Sequence, residues 1–303
     1  MKLRQLAPGR FTPRQWAKYH WYNGGGIFPY FGYRVYFPKG CSAFQKVCAQ
    51  GIFEVSNVRI LQRLCRPGTY MFDVGANLGL MALPVLASVS ESRVVSFEPS
   101  PNALPFLRRT VADSDLGDRW RLVEKAVACD PGAASFSLSA RTEGLYDGLR
   151  HTHRTPQTRQ VKVEVTNLDE EWRALGRPPV SVIKIDVEGG ELDVLRGASE
   201  CLSHERPFIL LEWCDLNLAA YDIPSGALFP FARECCYMLY ALPEIIPITT
   251  PGDLTLQAAI RTESFLMAPI VGVHPDTLPS RQDPQNKARN PGTLSLSAEL
   301  EVR

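Results

Sequence analysis

The 303-residue sequence contains no apolar run long enough to cross a membrane. Its longest candidate, residues 81–89, has nine residues and includes a proline. Residues 1–18 mix arginine, proline and glutamine, and they lack the basic start and apolar stretch of a secretory signal. With 45% apolar and 21% charged residues, the composition also excludes collagen-like and wholly disordered classes. We therefore expect a soluble, cytoplasmic protein without a membrane partner.

The sequence also lacks the cysteine spacings of a metal or redox site. Its eight cysteines form no C-x-x-C pair and no zinc-binding spacing with the five histidines. Several lie in apolar runs, as Cys214 does after residues 208–213, which is typical of buried, reduced thiols. We expect neither a disulfide framework nor a zinc site.

No excess of one charge marks the whole chain, because 33 lysines and arginines face 32 acids. The distribution is uneven, however, since residues 1–66 hold eleven basic residues and one acid, which is +10 against −9 for the remainder. This indicates either an anionic partner or two regions that attract each other. Residues 11–40 are rich in aromatic residues. Such a segment is typical of a lid over a ligand, or of a segment that packs on the main domain. We interpret residues 1–66 as a lid-like N-terminal extension that ends in a helix over 52–66.

From residue 70 onward, short apolar strands alternate with amphipathic helices. This pattern predicts an α/β domain over residues 67–273, with a doubly wound, mostly parallel sheet covered on both faces. The predicted strands span residues 70–74, 93–97, 121–127, 180–187, 208–213, 237–241 and 264–267. Period-two alternation predicts an added strand pair over 133–138 and 160–166. The tail, residues 274–303, is rich in proline, serine, asparagine and glutamine and is predicted to be disordered.

The turn after the first predicted strand reads D-V-G-A-N-L-G, from Asp73 to Gly79. In an open α/β sheet, ligands bind at the carboxyl ends of the strands, where glycine lets the backbone approach them. A pyrophosphate-binding turn needs G-x-G-x-x-G, and two of those glycines are missing here. Asp73 would repel pyrophosphate but suits a sulfonium or ammonium group, and Glu98 at the next strand end can accept both ribose hydroxyls. This pair of acids predicts S-adenosylmethionine rather than NAD or ATP.

Four motifs closely resemble the FkbM-type family of S-adenosylmethionine-dependent methyltransferases. They are D-V-G-A-N-L-G at 73–79, S-F-E-P-S at 96–100, I-K-I-D-V-E-G at 183–189 with Glu191, and L-R-G-A at 195–198. The resemblance covers residues 54–241 and implies a class I methyltransferase fold, whose seven-stranded sheet has an antiparallel last strand. It also implies methylation of hydroxyl groups on sugars, polyketides or other secondary metabolites. The cofactor contacts expected from the turn argument and from the resemblance are Asp73, Gly75, Ala76, Asn77, Gly79, Glu98, Pro99, Ala126 and Val127.

A second group of charged residues lies at the end of a later predicted strand. Lys184, Asp186 and Glu188 alternate and so share one face, and Glu212 ends the neighbouring strand. Asp186 could take the proton of an acceptor hydroxyl or orient it, and Lys184 could lower the pKa of the oxygen. We interpret these four residues as catalytic, with a structural Lys–Asp pair and helix-stabilising acids as the alternative. Converging carboxylates also allow Mg²⁺. We do not favour a metal, because no histidine joins them and a carboxylate pair explains the pattern without one.

The sequence thus predicts an O-methyltransferase for a small hydroxylated acceptor, such as a sugar or an anionic metabolite. One alternative is methylation of nucleic acid or of another nitrogen acceptor, although no D/N-P-P-Y/F tetrapeptide follows the fourth strand. A non-catalytic cofactor-binding module and an NAD-dependent oxidoreductase are further alternatives. His151 and His153, in the turn-rich segment 139–159, are candidate bases or solvated surface residues. Assembly into a homo-oligomer stays open.

Overall fold

The computed structural model, which describes residues 25–139, 144–154 and 156–272, has an α/β fold with an eight-stranded sheet, a three-stranded sheet and a two-stranded hairpin. The aromatic positions 11–24 and the tail 274–303 lie outside the described residues. Among the helices of the described ranges, none has both the length and the apolar character that a membrane span requires.

The elements follow the alternation seen in the sequence. The strands of the described residues are β1 (Gly26–Tyr30), β2 (Tyr33–Phe37), β3 (Tyr70–Val74), β4 (Arg93–Phe97), β5 (Trp120–Val123), β6 (Ala126–Val127), β7 (Gly132–Ser139), β8 (Gln157–Thr166), β9 (Val180–Ile185), β10 (Phe208–Glu212), β11 (Tyr237–Ala241), β12 (Ile246–Ile248) and β13 (Ser264–Pro269). The α-helices of the same ranges are α1 (Ser42–Gln50), α2 (Val55–Leu64), α3 (Ala82–Ser88), α4 (Leu104–Asp113), α5 (Leu168–Ala174), α6 (Glu191–Arg196), α7 (Ser199–Glu205), α8 (Asp215–Leu218), α9 (Leu228–Glu234) and α10 (Pro251–Ile260).

The main sheet has eight strands in the order β12-β11-β13-β10-β9-β3-β4-β5. The five strands from β10 to β5 are parallel, whereas β13 is antiparallel to both of its neighbours. This arrangement confirms the predicted mostly parallel sheet with an antiparallel last strand. The short edge strand β12, which pairs with β11, is an eighth strand that the sequence did not predict.

One predicted strand, residues 121–127, is two strands in different sheets. β5 ends at Val123, whose carbonyl accepts from the Glu98 N–H at 3.1 Å, and the chain then leaves the main sheet. In β6, Ala126 pairs in parallel with Val165 of β8, and β7 completes a three-stranded sheet. The prediction of one continuous strand was therefore wrong, because the apolar residues on either side of the exposed Glu124 belong to separate sheets.

Successive residues of β3 face opposite sides of the main sheet. Met71 packs in an apolar core with the β1–β2 hairpin and helices α2 to α4, while Phe72 and Val74 pack with α5 to α7. All three side chains are at most 1% exposed. Because both faces are covered, β3 is an uninterrupted buried strand, and each such side chain contributes about 1.5–3 kcal/mol by burial.

The described aromatic residues of the N-terminal extension pack inside the fold. The rings of Phe28, Phe37 and Phe44 form a cluster with centroids 4.4 to 5.4 Å apart. The hairpin is joined to α4, since the Tyr36 N–H donates to Thr110 Oγ1 at 3.1 Å. The β1–β2 hairpin therefore packs on the main domain, which was one of the two interpretations of the aromatic segment. The domain boundaries stay a prediction.

Candidate active site

Gly75 brings the ends of β3 and β9 into contact. Its φ is +75°, and a Cβ on this residue would lie 1.8 Å from the backbone oxygen of Asp186. Its N–H donates to the Phe97 carbonyl of β4 at 3.0 Å. Gly79 closes the turn with φ +80°, against the ring of Trp120. The D-V-G-A-N-L-G turn therefore gathers three strand ends at one point, as its glycines suggest.

Glu98, directly after β4, accepts two backbone hydrogen bonds. The Asn77 N–H donates to its Oε2 at 2.7 Å, and the Ser100 N–H donates to its Oε1 at 2.8 Å. Burial raises the pKa of this carboxyl to about 7, although both donors lower it. Each carboxylate oxygen can accept a further hydrogen bond, so Glu98 can still bind hydroxyls that approach it.

Asp73 lies beneath the turn and is completely buried. Its Oδ1 is 3.5 Å from Lys184 Nζ, which also donates to the Gly75 carbonyl at 2.7 Å. Burial lowers the pKa of Lys184, but Asp186 and Asp73 outweigh burial and raise it, so the amine is charged. Asp73 therefore forms a buried ion pair with Lys184 beneath the turn, and its contact with the cofactor stays a prediction.

A cavity of about 740 Å³, which we name the glycine-turn cavity, opens at the carboxyl ends of β3, β4 and β9. The predicted cofactor residues that line it are Gly75, Asn77, Glu98, Pro99, Ala126 and Val127. The other predicted residues, Asp73, Ala76 and Gly79, shape the turn from outside the cavity lining.

The segment between β7 and β8 forms another wall of this cavity, which sequence reasoning missed. Leu145 and Leu149 line the cavity together with Asp147. Asp147 fixes the segment, because its carboxylate accepts from Ser100 Oγ at 2.5 Å and from the Ser139 N–H at 2.6 Å. The sequence feature that could have revealed this wall is the turn sequence G-L-Y-D-G at 144–148, in which an acid lies between two glycines.

The two histidines of this segment lie apart from the cavities. The rings of His151 and His153 contact each other with centroids 4.3 Å apart. Neither residue lines the glycine-turn cavity or the second cavity described next. Their candidate role as bases therefore has no geometric support among the described residues.

Asp186 stands between the glycine-turn cavity and a second one of about 730 Å³, which we name the carboxylate cavity. Glu188 and Leu145 also line both cavities, and Lys184 and Glu212 line the second. Lys184 Nζ is 3.6 Å from Asp186 Oδ2. The four residues predicted to be catalytic thus meet in one cavity.

Three acids crowd the carboxylate cavity. One oxygen from each of Asp186, Glu188 and Glu212 lies within 4.8 Å of the other two. Burial raises the pKa of Glu188 and of Glu212, and the charge of Asp186 raises both further. Such a triplet has the oxygen donors that a divalent cation prefers.

Side chains of the protein already contact these acids. Arg154 Nη1 lies 3.7 Å from Glu188 Oε2 and offsets part of the negative charge of this carboxylate. Asn217 Nδ2 donates to Glu212 Oε2 at 3.0 Å. The acids therefore have protein partners, and the triplet alone does not indicate a metal.

Glu191 supports the turn that carries Asp186. Its Oε1 accepts from the Val187 N–H at 3.2 Å and from the Gly189 N–H at 3.0 Å. Burial raises its pKa to about 7. Glu191 thus has a structural role. This is the alternative that the sequence offered for the acids near the start of this helix.

Comparison with known proteins bears on this arrangement directly. The model of the methyltransferase FkbM domain family matches residues 73–232, which include the glycine turn, Glu98 and Asp186. The chain belongs to the FkbM methyltransferase family. This confirms the family resemblance read from the four motifs.

Two relatives of this chain carry more specific names. The 2-O-methyltransferase NoeI of Sinorhizobium fredii is 28% identical over 211 residues, which cover 66% of this chain and 83% of that protein. The hexuronic acid methyltransferase AglP of Haloferax volcanii is 26% identical over 155 residues, 51% of this chain. The match spans only 60% of the length of the Haloferax protein.

A solved FkbM methyltransferase from Methylobacillus flagellatus is also similar to this chain. It is 16% identical with a TM-score of 0.40, and the match covers 67% of this chain and 44% of that one. The strand order given above, rather than this score, carries the fold assignment.

Proposed function

We propose that this FkbM-family chain uses S-adenosylmethionine to methylate a hydroxyl oxygen of a small, sugar-like acceptor. One observation carries the proposal, namely that Asp186 lines both the glycine-turn cavity and the carboxylate cavity. A cofactor in the first cavity and an acceptor in the second would meet at this carboxylate. The names of the Sinorhizobium and Haloferax relatives support a hydroxyl acceptor and a sugar, respectively.

The glycine-turn cavity suits S-adenosylmethionine. Gly75 keeps the backbone bare at the strand end, where any Cβ would meet Asp186. Glu98 offers two oxygens that can accept from the two ribose hydroxyls. Ala126, Val127 and Leu149 give the cavity apolar wall for a flat base. The ribose and the base of a sulfonium nucleoside therefore each find a suitable group in this cavity.

Methyl transfer requires little covalent participation by the protein. When bound, S-adenosylmethionine supplies an electrophilic methyl carbon on a sulfonium sulfur. The protein has to hold the acceptor oxygen in line with that carbon and accept the proton of the hydroxyl. The Asp186 side chain is 34% exposed, so it is accessible to an acceptor, and Lys184 orients its carboxylate from 3.6 Å. We assign the proton to Asp186, with Glu188 and Glu212 as hydrogen-bonding partners for neighbouring hydroxyls.

Transfer of an isotopically labelled methyl group tests the proposal. The full chain would be incubated with labelled S-adenosylmethionine and a panel of neutral sugars, amino sugars and uronic acids, and the products identified by mass spectrometry. We expect a methyl ether on a sugar oxygen. Label on nitrogen or nucleic acid alone, or binding of S-adenosylhomocysteine without any transfer, would contradict the proposed reaction.

A further inference from the structure

A third space lies next to the carboxylate cavity. An open groove of about 1510 Å³ runs between α2 and the segment that joins α10 to β13. Five residues line both the cavity and the groove, and we name them the doorway: Lys46, Glu54, Asn57, Glu263 and Ser264. These side chains form the boundary between the two spaces, so a ligand that occupied both would contact them.

The doorway is built from hydrogen-bonding groups that join distant parts of the chain. Asn57 Nδ2 donates to Glu54 Oε2 at 3.1 Å and to Ser264 Oγ at 3.0 Å, which connects α2 to β13. Lys46 Nζ lies 3.7 Å from Glu54 Oε1. All doorway side chains have donors or acceptors, so a ligand rich in hydroxyls can replace the water that it displaces there.

Beyond the doorway, the groove combines apolar surface with balanced charge. Its apolar lining includes Leu242, Pro243 and Ile260, and Ile260 is 66% exposed. The charged lining residues are two cations and two acids: Lys46, Arg261, Glu54 and Glu263. Balanced charge does not attract a polyanion such as a nucleic acid backbone. Apolar surface beside polar groups suits a sugar ring, which has an apolar C–H face and a hydroxyl edge.

We infer that the acceptor is an oligosaccharide, whose terminal unit occupies the carboxylate cavity and whose next unit crosses the doorway into the groove. This inference rests on the proposed function, because it takes the carboxylate cavity as the acceptor site. The five lining residues that the cavity and the groove share carry it, because they place the two spaces side by side. A single sugar ring in the carboxylate cavity would make no contact with the groove beyond the doorway.

A groove-blocking variant tests the inference. Ala259 is exposed on α10 and lines the groove, so Ala259→Trp fills the groove without entering the carboxylate cavity. Leu256, 54% exposed on the same helix, is not among the groove-lining residues, and Leu256→Trp is the matched control. Methyl transfer would be measured with methyl glycosides and with linear tri- and tetrasaccharides that end in the same sugar.

We expect the oligosaccharides to have a KM at least about tenfold lower than the matching methyl glycosides, as one added set of contacts provides. Ala259→Trp should raise the oligosaccharide KM by about tenfold and leave the methyl glycosides unchanged, whereas Leu256→Trp should alter neither. Ile260→Asp, which removes apolar lining, should act in the same direction as Ala259→Trp.

Equal KM values for short and long acceptors, or equal effects of Ala259→Trp on both, would overturn the inference and leave the proposed function standing. The groove could instead hold another segment of this chain or a second copy of it. Ala259→Trp would then lower the melting temperature or change the oligomeric state without discriminating between acceptors, which also overturns the inference. Absence of methylation of every sugar would contradict the proposed function itself.

Discussion

At the scale of single residues, Asp186 carries the proposed proton transfer. It lies at the junction of the two cavities and is oriented by Lys184 at 3.6 Å. We predict that Asp186→Asn lowers kcat by about 10²- to 10⁴-fold, the usual contribution of a general base. Affinity for S-adenosylhomocysteine, measured by calorimetry, should stay within a few-fold of wild type, because the side chain loses charge but keeps its shape.

The matched control for this variant is Asp222→Asn, an exposed position outside both cavities. It should leave kcat unchanged. Full turnover by Asp186→Asn would mean that another group accepts the proton, and Glu188 would be the first candidate.

Glu98 should make cofactor binding depend on pH. Its pKa of about 7 means that the carboxyl is ionised at pH 8 and protonated at pH 6. The ionised form accepts from both ribose hydroxyls, so affinity for S-adenosylhomocysteine should fall by about tenfold from pH 8 to pH 6. Calorimetric titrations of wild type and Glu98→Gln over this range check the prediction, and the variant should bind weakly with a flat profile. An equal pH response in the variant would assign the effect to another group, such as Glu191.

The acids of the carboxylate cavity give a prediction about metal dependence. Arg154 and Asn217 contact Glu188 and Glu212, and burial raises the pKa of both acids, so protonation together with these protein partners can offset their crowding without a cation. We expect kcat to change less than about twofold on treatment with EDTA, since no Lewis acid has to be replaced. Loss of turnover that added Mg²⁺ restores would show that the triplet with Asp186 is a metal site.

At the scale of elements, the contact between two strand ends is the most sensitive point. Gly75→Ala places a Cβ 1.8 Å from the Asp186 oxygen, at a φ of +75°. We expect a loss of about 2–5 kcal/mol in the free energy of unfolding, from backbone strain and overpacking together. Separation of β3 from β9 should also abolish binding of S-adenosylhomocysteine. Denaturant titration and calorimetry measure the two effects.

Gly68→Ala separates strain from contact. Gly68 has a similar φ of +74°, but a Cβ there would meet no atom within 4 Å. The expected loss is about 1–2 kcal/mol, with cofactor affinity unchanged. If the two variants were equally stable and bound equally well, close contact between β3 and β9 would not be what the turn provides.

At the scale of the whole molecule, the sequence predicts those features that depend on the local pattern of residues. The buried parallel strands read as apolar runs, and Glu98 and Asp186 follow from their positions at strand ends. The sequence does not show that the chain changes sheets after Val123, since only long-range pairing with β8 separates the apolar residues there. It does not give the depth of Asp73 or the wall formed by Leu145 to Leu149, because tertiary contacts determine both.

The doorway is also determined by tertiary contacts rather than by local sequence. Asn57 and Ser264 are 207 residues apart and meet through one hydrogen bond of 3.0 Å. Neither belongs to a motif of the sequence, so the route to the carboxylate cavity emerges only from the assembled fold. The cytoplasmic compartment stays a prediction, and assembly into a homo-oligomer stays open.

We propose that the glycine-turn cavity binds the cofactor with its sulfur towards Asp186. A crystal structure of the full chain with S-adenosylhomocysteine tests it most directly. We predict that the ribose hydroxyls contact Glu98 and that the sulfur faces the junction with the carboxylate cavity. Density for the ligand elsewhere, or with its sulfur directed away from Asp186, would contradict the account.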